Sequence, residues 1–363
     1  MAEIAVIGAG IFGATTSLAL AEAGHNVTIF DGNRTILGGT SAASTNRLHI
    51  GAHYPRDIPT AIQSLESSII FQEKFPEAVN DSFPNYYGLV SEASKTNLQQ
   101  YRHFLNLLSG RARECNVPDN LSKLGLNESE LSGFWEIEEG VIDMNVLRTS
   151  LSERLKQQRV EIRLDEPVAE LIKRVSNGWD LRTDLAFQQF DIIVKATYAT
   201  DRIKIDGLEN HQMPKKYQLT LNLVIESEEL FGLTLIDGDF LTIIPQGLQK
   251  ELIVYAPGPS VLRTELGIGI PANLRNIDQA GIRLAEEELL RRLNYWLPAL
   301  SPVRITKRLV AVRTLLPDVE STDARPSSVT QLAEDFFEIW SGKLDHAVQI
   351  AERVKQLVGL RPS

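Results

Sequence analysis

A chain of 363 residues, 43% hydrophobic and 23% charged, has the composition of an ordinary soluble protein of one or two domains with a sizeable core. Its formal net charge of −10 argues against a nucleic-acid or anionic-membrane surface. The single cysteine, Cys115, allows no intrachain disulfide and fits a reducing, cytoplasmic setting, and the spacing of the six histidines carries no zinc signature, so no metal is expected.

The first element is uncharged: "IAVIGAGIFGATTSLALA", Ile4–Ala21. A secretory segment wants a basic flank and an unbroken apolar centre. Here the flank carries Glu3, and three glycines interrupt the run. No other stretch approaches the length of a membrane span, so none is expected. The better reading is strand, turn, helix. "IAVIG" is a β-branched run suited to a buried parallel strand. Gly8, Gly10 and Gly13 form G-x-G-x-x-G. Gly8 permits a tight turn, Gly10 leaves room for a pyrophosphate, and Gly13 lets the helix pack on the strand. The amides that open the helix, at Ile11 and Phe12, then face the phosphates at the positive end of the helix dipole. A second strand, "NVTIFD", ends at Asp31, 18 residues past Gly13, near the ~20 expected for a carboxylate on a ribose hydroxyl. An acid there disfavours a 2′-phosphate, hence NADP. The alternative is that the glycines only pack and Asp31 only ends a strand.

An NAD dehydrogenase would continue with further βαβ units. This chain continues instead with "GNRTILGGTSAASTNRLHIGAHYP". That segment resembles the D-amino-acid oxidase/glycine oxidase superfamily of FAD-dependent oxidoreductases, in which a Gly/Ser-rich stretch after the second strand wraps the cofactor. "NRLHIGAHY", Asn46–Tyr54, is also similar to the N…H-x-G-x-x-Y segment of the 2-hydroxyglutarate oxidase branch. Further along, "GVIDMNVLRTSLSERL" (Gly140–Leu155) resembles the family's return into an FAD-domain helix. "VEIRLDEPVAELI" (Val160–Ile172) is similar to the element whose backbone meets the adenine, at Val168. "FDIIVKATYAT" (Phe190–Thr200) looks like the strand that usually reads V-V-x-A-T-G, with Tyr198 where the family commonly has glycine. At the far end, "GKLDHA" (Gly342–Ala347) lies between the strand-like "FFEIW" and the helix-like "AVQIAERVKQLV". It resembles the family's G-K-x turn at the pyrimidine end of the isoalloxazine. A helix N-terminus and Lys343 there would stabilise the negative charge of reduced flavin. Gly342 would turn with positive φ, and Asp345 would cap the helix. An ordinary capped C-terminal helix is the alternative.

The resemblance implies a mixed α/β (α+β overall) fold: a Rossmann-type FAD-binding domain of the glutathione-reductase type with an inserted antiparallel-sheet substrate domain. The FAD domain would comprise 1–80, 145–205 and 305–363, the substrate domain 81–144 and 206–304. It also implies noncovalent FAD held by Gly8, Gly10, Ile11, Phe12, Gly13, Asp31, Gly32, Asn33, Thr40, Ser41, Asn46, Arg47, Leu48, His49, Val168, Ala196, Thr197, Gly342, Lys343 and Leu344. Substrate carboxylates call for a planar guanidinium. Arg325, in an R-P pair, is the first candidate and Arg313 the second. Tyr255 and Tyr54 are candidate hydrogen-bond donors, though a strand tyrosine is more often core. His49 is a base, a flavin contact or structural.

Three functions are open on these residues. The first is oxidation of a C–N bond in an amine or amino acid by hydride transfer to flavin N5, with oxygen or another acceptor taking the electrons. The second is a 2-hydroxy-acid dehydrogenase or oxidase. The third is a flavoprotein that binds a ligand without turnover. In each the partner is a small molecule, with no nucleic acid involved.

Overall fold

The computed structural model describes residues 1–200, 203–208, 214–274, 278–317, 319 and 321–360. A six-stranded sheet is assembled from three distant parts of the chain. Glu3–Ile7 lies between Asn26–Phe30 and Ile192–Lys195, parallel to both. Phe336–Trp340 continues it in parallel beyond Ile192–Lys195, and Glu161–Arg163 beyond Asn26–Phe30. Ser328–Ala333 closes one edge antiparallel to Phe336–Trp340.

The unbroken apolar runs follow from this arrangement, because a strand covered on both faces has no polar side. Alternate residues serve opposite layers. Ile4, Val6 and Ile29 pack with Leu18, Leu151 and Val354 from the helices Ile11–Glu22, Met144–Gln157 and Ala347–Gly359. Ala5, Ile7 and Phe30 pack on the other side with Leu171, Trp179 and Leu181. Those residues belong to a four-stranded sheet of Val168–Lys173, Trp179–Thr183, Phe187–Phe190 and Lys204–Asp206.

A nine-stranded sheet forms the other half. It is antiparallel apart from the pairing of Gly232–Ile236 with Asn85–Val90. The helix Gln279–Trp296 covers one face with Ile282, Leu289, Leu293 and Trp296. Between the halves, Gly140–Ile142 pairs antiparallel with both Arg47–Leu48 and Val79–Asn80.

Several expectations are revised here. Ile305–Leu315, expected in the FAD domain from 305 onward, pairs along Lys215–Glu226 inside the nine-stranded sheet. Its long register with that twelve-residue strand outweighs its closeness in sequence to the C-terminal strands. Asp345 does not cap the last helix. It is fully buried in a 3₁₀ turn, Leu344–His346, and His346 occupies the N-cap position. Gly342 is not among the glycines with positive φ. A Cβ there would lie 2.0 Å from the Arg325 carbonyl oxygen and 2.4 Å from that of Pro326, so close backbone approach is what requires glycine.

Candidate active site

The Glu3–Ile7 strand ends at Gly8, whose φ is +106° and whose amide donates to Phe30 O at 2.7 Å. A Cβ on Gly13 would meet Gly8 O at 1.7 Å, so helix and strand approach as closely as their backbones allow. Gly10 takes the N-cap position without supplying a side-chain cap, and Ser41 Oγ accepts from Ile11 N at 3.2 Å. Asp31 holds the turn from the side: its carboxylate accepts from Ala9 N at 2.5 Å and from Asn33 N at 2.7 Å.

The stretch after Asp31 runs toward the nine-stranded sheet and is tied to it. Thr40 donates to Val312 O at 2.9 Å, and Asn222 donates to Ala43 O at 2.7 Å. A cavity of about 860 Å³ opens between the two halves. The glycine turn, Asp31, Val168, Ala196 and Thr197 line one end. Tyr198 lines it too, with φ +53°. It adopts the left-handed conformation that a glycine would take there, and its hydroxyl meets Thr314 N at 3.1 Å.

The other end is a buried polar cluster. Lys343 Nζ stands 3.2 Å from His49 Nε2 and 4.7 Å above the Tyr54 ring. His49 Nδ1 stands 3.4 Å from Glu139 Oε1. Glu139 also accepts from Arg47 at 3.1 Å, Tyr87 OH at 2.7 Å and Ile50 N at 3.0 Å. Arg47 reaches Thr234 Oγ1 at 2.6 Å as well. Burial, reinforced by Lys343, pushes the His49 and His53 imidazoles well below their ordinary range, so both are neutral at pH 7. Burial lowers the Lys343 ammonium to about 8.

Under the turn, Ser327 Oγ accepts from Gly342 N at 2.7 Å and contacts His346 Nδ1 at 2.9 Å. Ser64 Oγ meets His346 Nε2 at 3.1 Å.

The wall beneath carries the arginines. Arg313 donates to Gln218 at 2.9 Å and lies 5.6 Å from the Tyr255 ring centroid. Arg325 donates to its neighbour Ala324 O at 2.8 Å, with Asp323 at 3.7 Å. Burial first, then Arg313, holds the Arg325 guanidinium below its ordinary value. Two cations therefore share one wall of the cavity with only partial compensation.

The cavity gathers His49, Tyr54, Tyr255, Arg313 and Arg325, and every cofactor candidate except Gly13 and Leu48. Gly13 sits behind the turn, against Gly8. Leu48 points into the helix-side core because neighbours along a strand alternate, which leaves Arg47 and His49 on the cavity side. Glu139 escaped the sequence reading. It is one of three glutamates in "EIEEG", and Glu136 and Glu138 carry the same local pattern. Among the described residues no group of acidic, His or Cys side chains could hold a metal ion, and no helix is long and apolar enough to cross a membrane.

The family model for FAD-dependent oxidoreductases of the DAO type matches residues 3–329. The chain belongs to this family. Among its relatives, the FAD-dependent monooxygenase FPY4 of Fusarium mangiferae is 24% identical over 365 residues, covering 98% of this chain and 91% of the relative. The D-amino acid dehydrogenase of Vibrio cholerae is 24% identical over 286 residues, 62% of this chain and 68% of that one. The crystal structure of glycine oxidase from Geobacillus kaustophilus superposes with a TM-score of 0.77 at 17% identity, covering 100% and 95% of the two chains. NikD, an amino acid oxidase of nikkomycin biosynthesis, superposes in its open form with a TM-score of 0.79 at 14% identity, covering 100% and 95%. This DAO-family chain is an FAD-dependent oxidoreductase with FAD as its cofactor. Its residues fit that group. The glycine turn has no side chain in the way, Asp31 sets a carboxylate beside it at the cavity, and the cavity runs from this turn to Lys343.

Proposed function

We propose that this chain oxidises a C–N bond of a carboxylate-bearing amine or amino acid. The observation that carries the reading is the pair Arg313 and Arg325 on the cavity wall, whose charges are only partly compensated. Planar guanidinium groups grip a carboxylate with two parallel hydrogen bonds. The names of glycine oxidase and the D-amino acid dehydrogenase among the similar proteins support the same class.

FAD, bound noncovalently, would supply the hydride acceptor at N5. The sheet order around Glu3–Ile7 supports a domain of the glutathione-reductase type that binds it, built from about 1–80, 145–205 and 316–363. The nine-stranded sheet, with Ile305–Leu315 included, would form the substrate domain. In this reading the glycine turn and Asp31 hold the adenosine diphosphate half, and Lys343 stands at the pyrimidine end of the isoalloxazine. Arg325 binds the substrate carboxylate, Arg313 and Tyr255 complete that wall, and Tyr54 and Tyr198 narrow the cavity. His49, neutral and backed by Glu139, orients the reacting group. Oxygen or another acceptor then removes the electrons.

A 2-hydroxy acid is the second reading. It is favoured by the neutral His49, which lines the cavity with Nδ1 toward a carboxylate and Nε2 beside Lys343 Nζ. With Lys343 turned from it to a bound group, Nε2 can take a hydroxyl proton.

Anaerobic mixing of the holoprotein with a panel of amino acids, amines without a carboxylate, and 2-hydroxy acids separates these by bleaching of the visible flavin bands. Arg325→Ala is expected to leave the spectrum intact and weaken substrate binding by about 2–5 kcal/mol, the effect of losing a desolvated charged contact, with Arg325→Lys recovering only part. Bleaching by carboxylate-free amines alone, with neither Arg325→Ala nor Arg313→Ala having an effect, would refute the carboxylate reading.

A further inference from the structure

Arg56, two residues past Tyr54, stands behind the cavity wall rather than in its lining, where the segments carrying Asp237 and Asp323 meet. Its fork grips Asp237, with Nε 2.8 Å from Oδ2 and Nη2 3.1 Å from Oδ1. Asp237 follows the strand Gly232–Ile236 and also accepts from Thr96 Oγ1 at 2.7 Å. The terminal nitrogens of Arg56 donate further to the Ser321 carbonyl and to Asp323 Oδ2. Asp323 has a left-handed backbone, φ +58°, with its amide on Val319 O at 2.7 Å. A residue with a side chain takes that conformation only where its surroundings hold it, and Arg56 supplies two of the contacts that do.

Asp323 lies between two arginines and serves them unequally. Oδ2 is bonded to Arg56, while Oδ1 stays 3.7 Å from Arg325 Nη2, beyond hydrogen-bond reach. The Asp323 side chain is 39% exposed, so its polar contacts rather than packing fix its direction. Arg325 is anchored independently of Arg56: its amide donates to Thr60 Oγ1 at 3.0 Å, and Nη1 donates to Ala324 O. Arg56 therefore holds one acid with its whole fork and turns the second toward itself, which leaves Arg325 in the cavity without a bonded anion.

We propose that Arg56 is a positioning residue that sets carboxylate affinity by drawing Asp323 away from Arg325. This holds on the reading above that Arg325 binds the substrate carboxylate. Without Arg56, Asp323 has Arg325 as its one remaining cation at this corner. A charge-assisted pair between them then occupies the same guanidinium that the substrate needs. Arg56 touches neither substrate nor cofactor and acts only through which arginine Asp323 faces.

The test is anaerobic reduction of the holoprotein by whichever standard amino acid, in L or D form, bleaches the flavin fastest. Arg56→Gln is expected to raise the half-saturating concentration about tenfold, within the range of couplings inside one charge network, with the effect on half-saturation rather than on the limiting rate. Adding Asp323→Asn removes the competing anion and is expected to bring half-saturation back to within about threefold of wild type. A merely structural defect at this corner would not be relieved by a second substitution in it. No recovery in the double variant overturns the proposal, as does unchanged half-saturation in Arg56→Gln. Should Arg56→Gln fail to fold, Asp323→Asn alone decides. Binding at least as tight as wild type supports the proposal, and weaker binding overturns it, because Asp323 would then anchor Arg325 instead of competing for it. If Arg325→Ala weakens amino-acid binding and Arg56→Gln does not, the functional reading stands and this inference falls. If no amino acid bleaches the flavin, or Arg325→Ala leaves half-saturation unchanged, both fall.

Discussion

Glu139→Gln is the sharpest probe of how this cavity is held together. The glutamate side chain is fully enclosed, and Arg47 beside it is 3% exposed. Glutamine keeps the shape and removes the negative charge. Arg47 would keep Tyr87 and Thr234 as hydrogen-bond partners but would be a buried cation without a counter-charge. Removing one partner of a buried ion pair destabilises by about 3–5 kcal/mol. At about 2 °C per kcal/mol for a chain of this size, the melting temperature of the apoprotein should fall by roughly 6–10 °C. The double variant Arg47→Met/Glu139→Gln tests the cause. With both charges gone, its loss should be smaller than the sum of the single losses by at least about 1 kcal/mol, the signature of a coupled pair. Thermal melts by circular dichroism measure all four proteins. A melting temperature within about 1 °C of wild type for Glu139→Gln would refute the reasoning, since it would mean that Arg47 does not depend on this carboxylate. The variant should also weaken FAD binding, because Ile50 N and His49 rest on the same group.

Three further outcomes are expected. The purified protein should be yellow and release FAD on acid precipitation, and Asp31→Ala should lower FAD affinity roughly 10- to 150-fold, the equivalent of about 1.5–3 kcal/mol for a charge-assisted contact; unchanged affinity by fluorescence titration would exclude the role. Gly342→Ala places a methyl group against two backbone carbonyls, so overpacking of about 1–3 kcal/mol should lower the melting temperature and weaken both FAD and substrate binding, whereas a normal melt with normal FAD uptake would show that the turn has room. Burial holds His346 at about 3, below the unfolded value, so its contribution to stability is complete above about pH 6.5 and is lost as pH falls toward 3. From about pH 7 to pH 5 that loss is ~2 kcal/mol for this one residue, and urea melts should show His346→Gln losing correspondingly less than wild type over that interval.

What the sequence by itself determined lies where a local backbone requirement leaves a residue-level mark. The turn is legible because positive φ at Gly8 and backbone contact at Gly8 and Gly13 admit only glycine, and Gly10 completes their G-x-G-x-x-G spacing. Asp31 is legible because it ends a short strand at a fixed distance from that turn. The apolar stripe of the last helix, Ala347, Ala351, Val354 and Val358, is legible from its period and is buried as that period implies. Tertiary structure decided the rest. Ile305–Leu315 reads as a strand in isolation, but only its register with Lys215–Glu226 selects its sheet. Tyr198 takes a left-handed backbone that its residue type disfavours, held by Thr314 116 positions away. Glu136, Glu138 and Glu139 are alike along the chain. They differ because Gly140–Ile142 pairs with Arg47–Leu48 and turns Glu139 inward, while Glu136 meets Arg113 at the surface. Asp345 could be taken for a helix cap, and only the packing of its 3₁₀ turn beneath His49 makes it a buried acid. Burial and charge pairing depend on which distant segments meet, and no spacing within one segment encodes that.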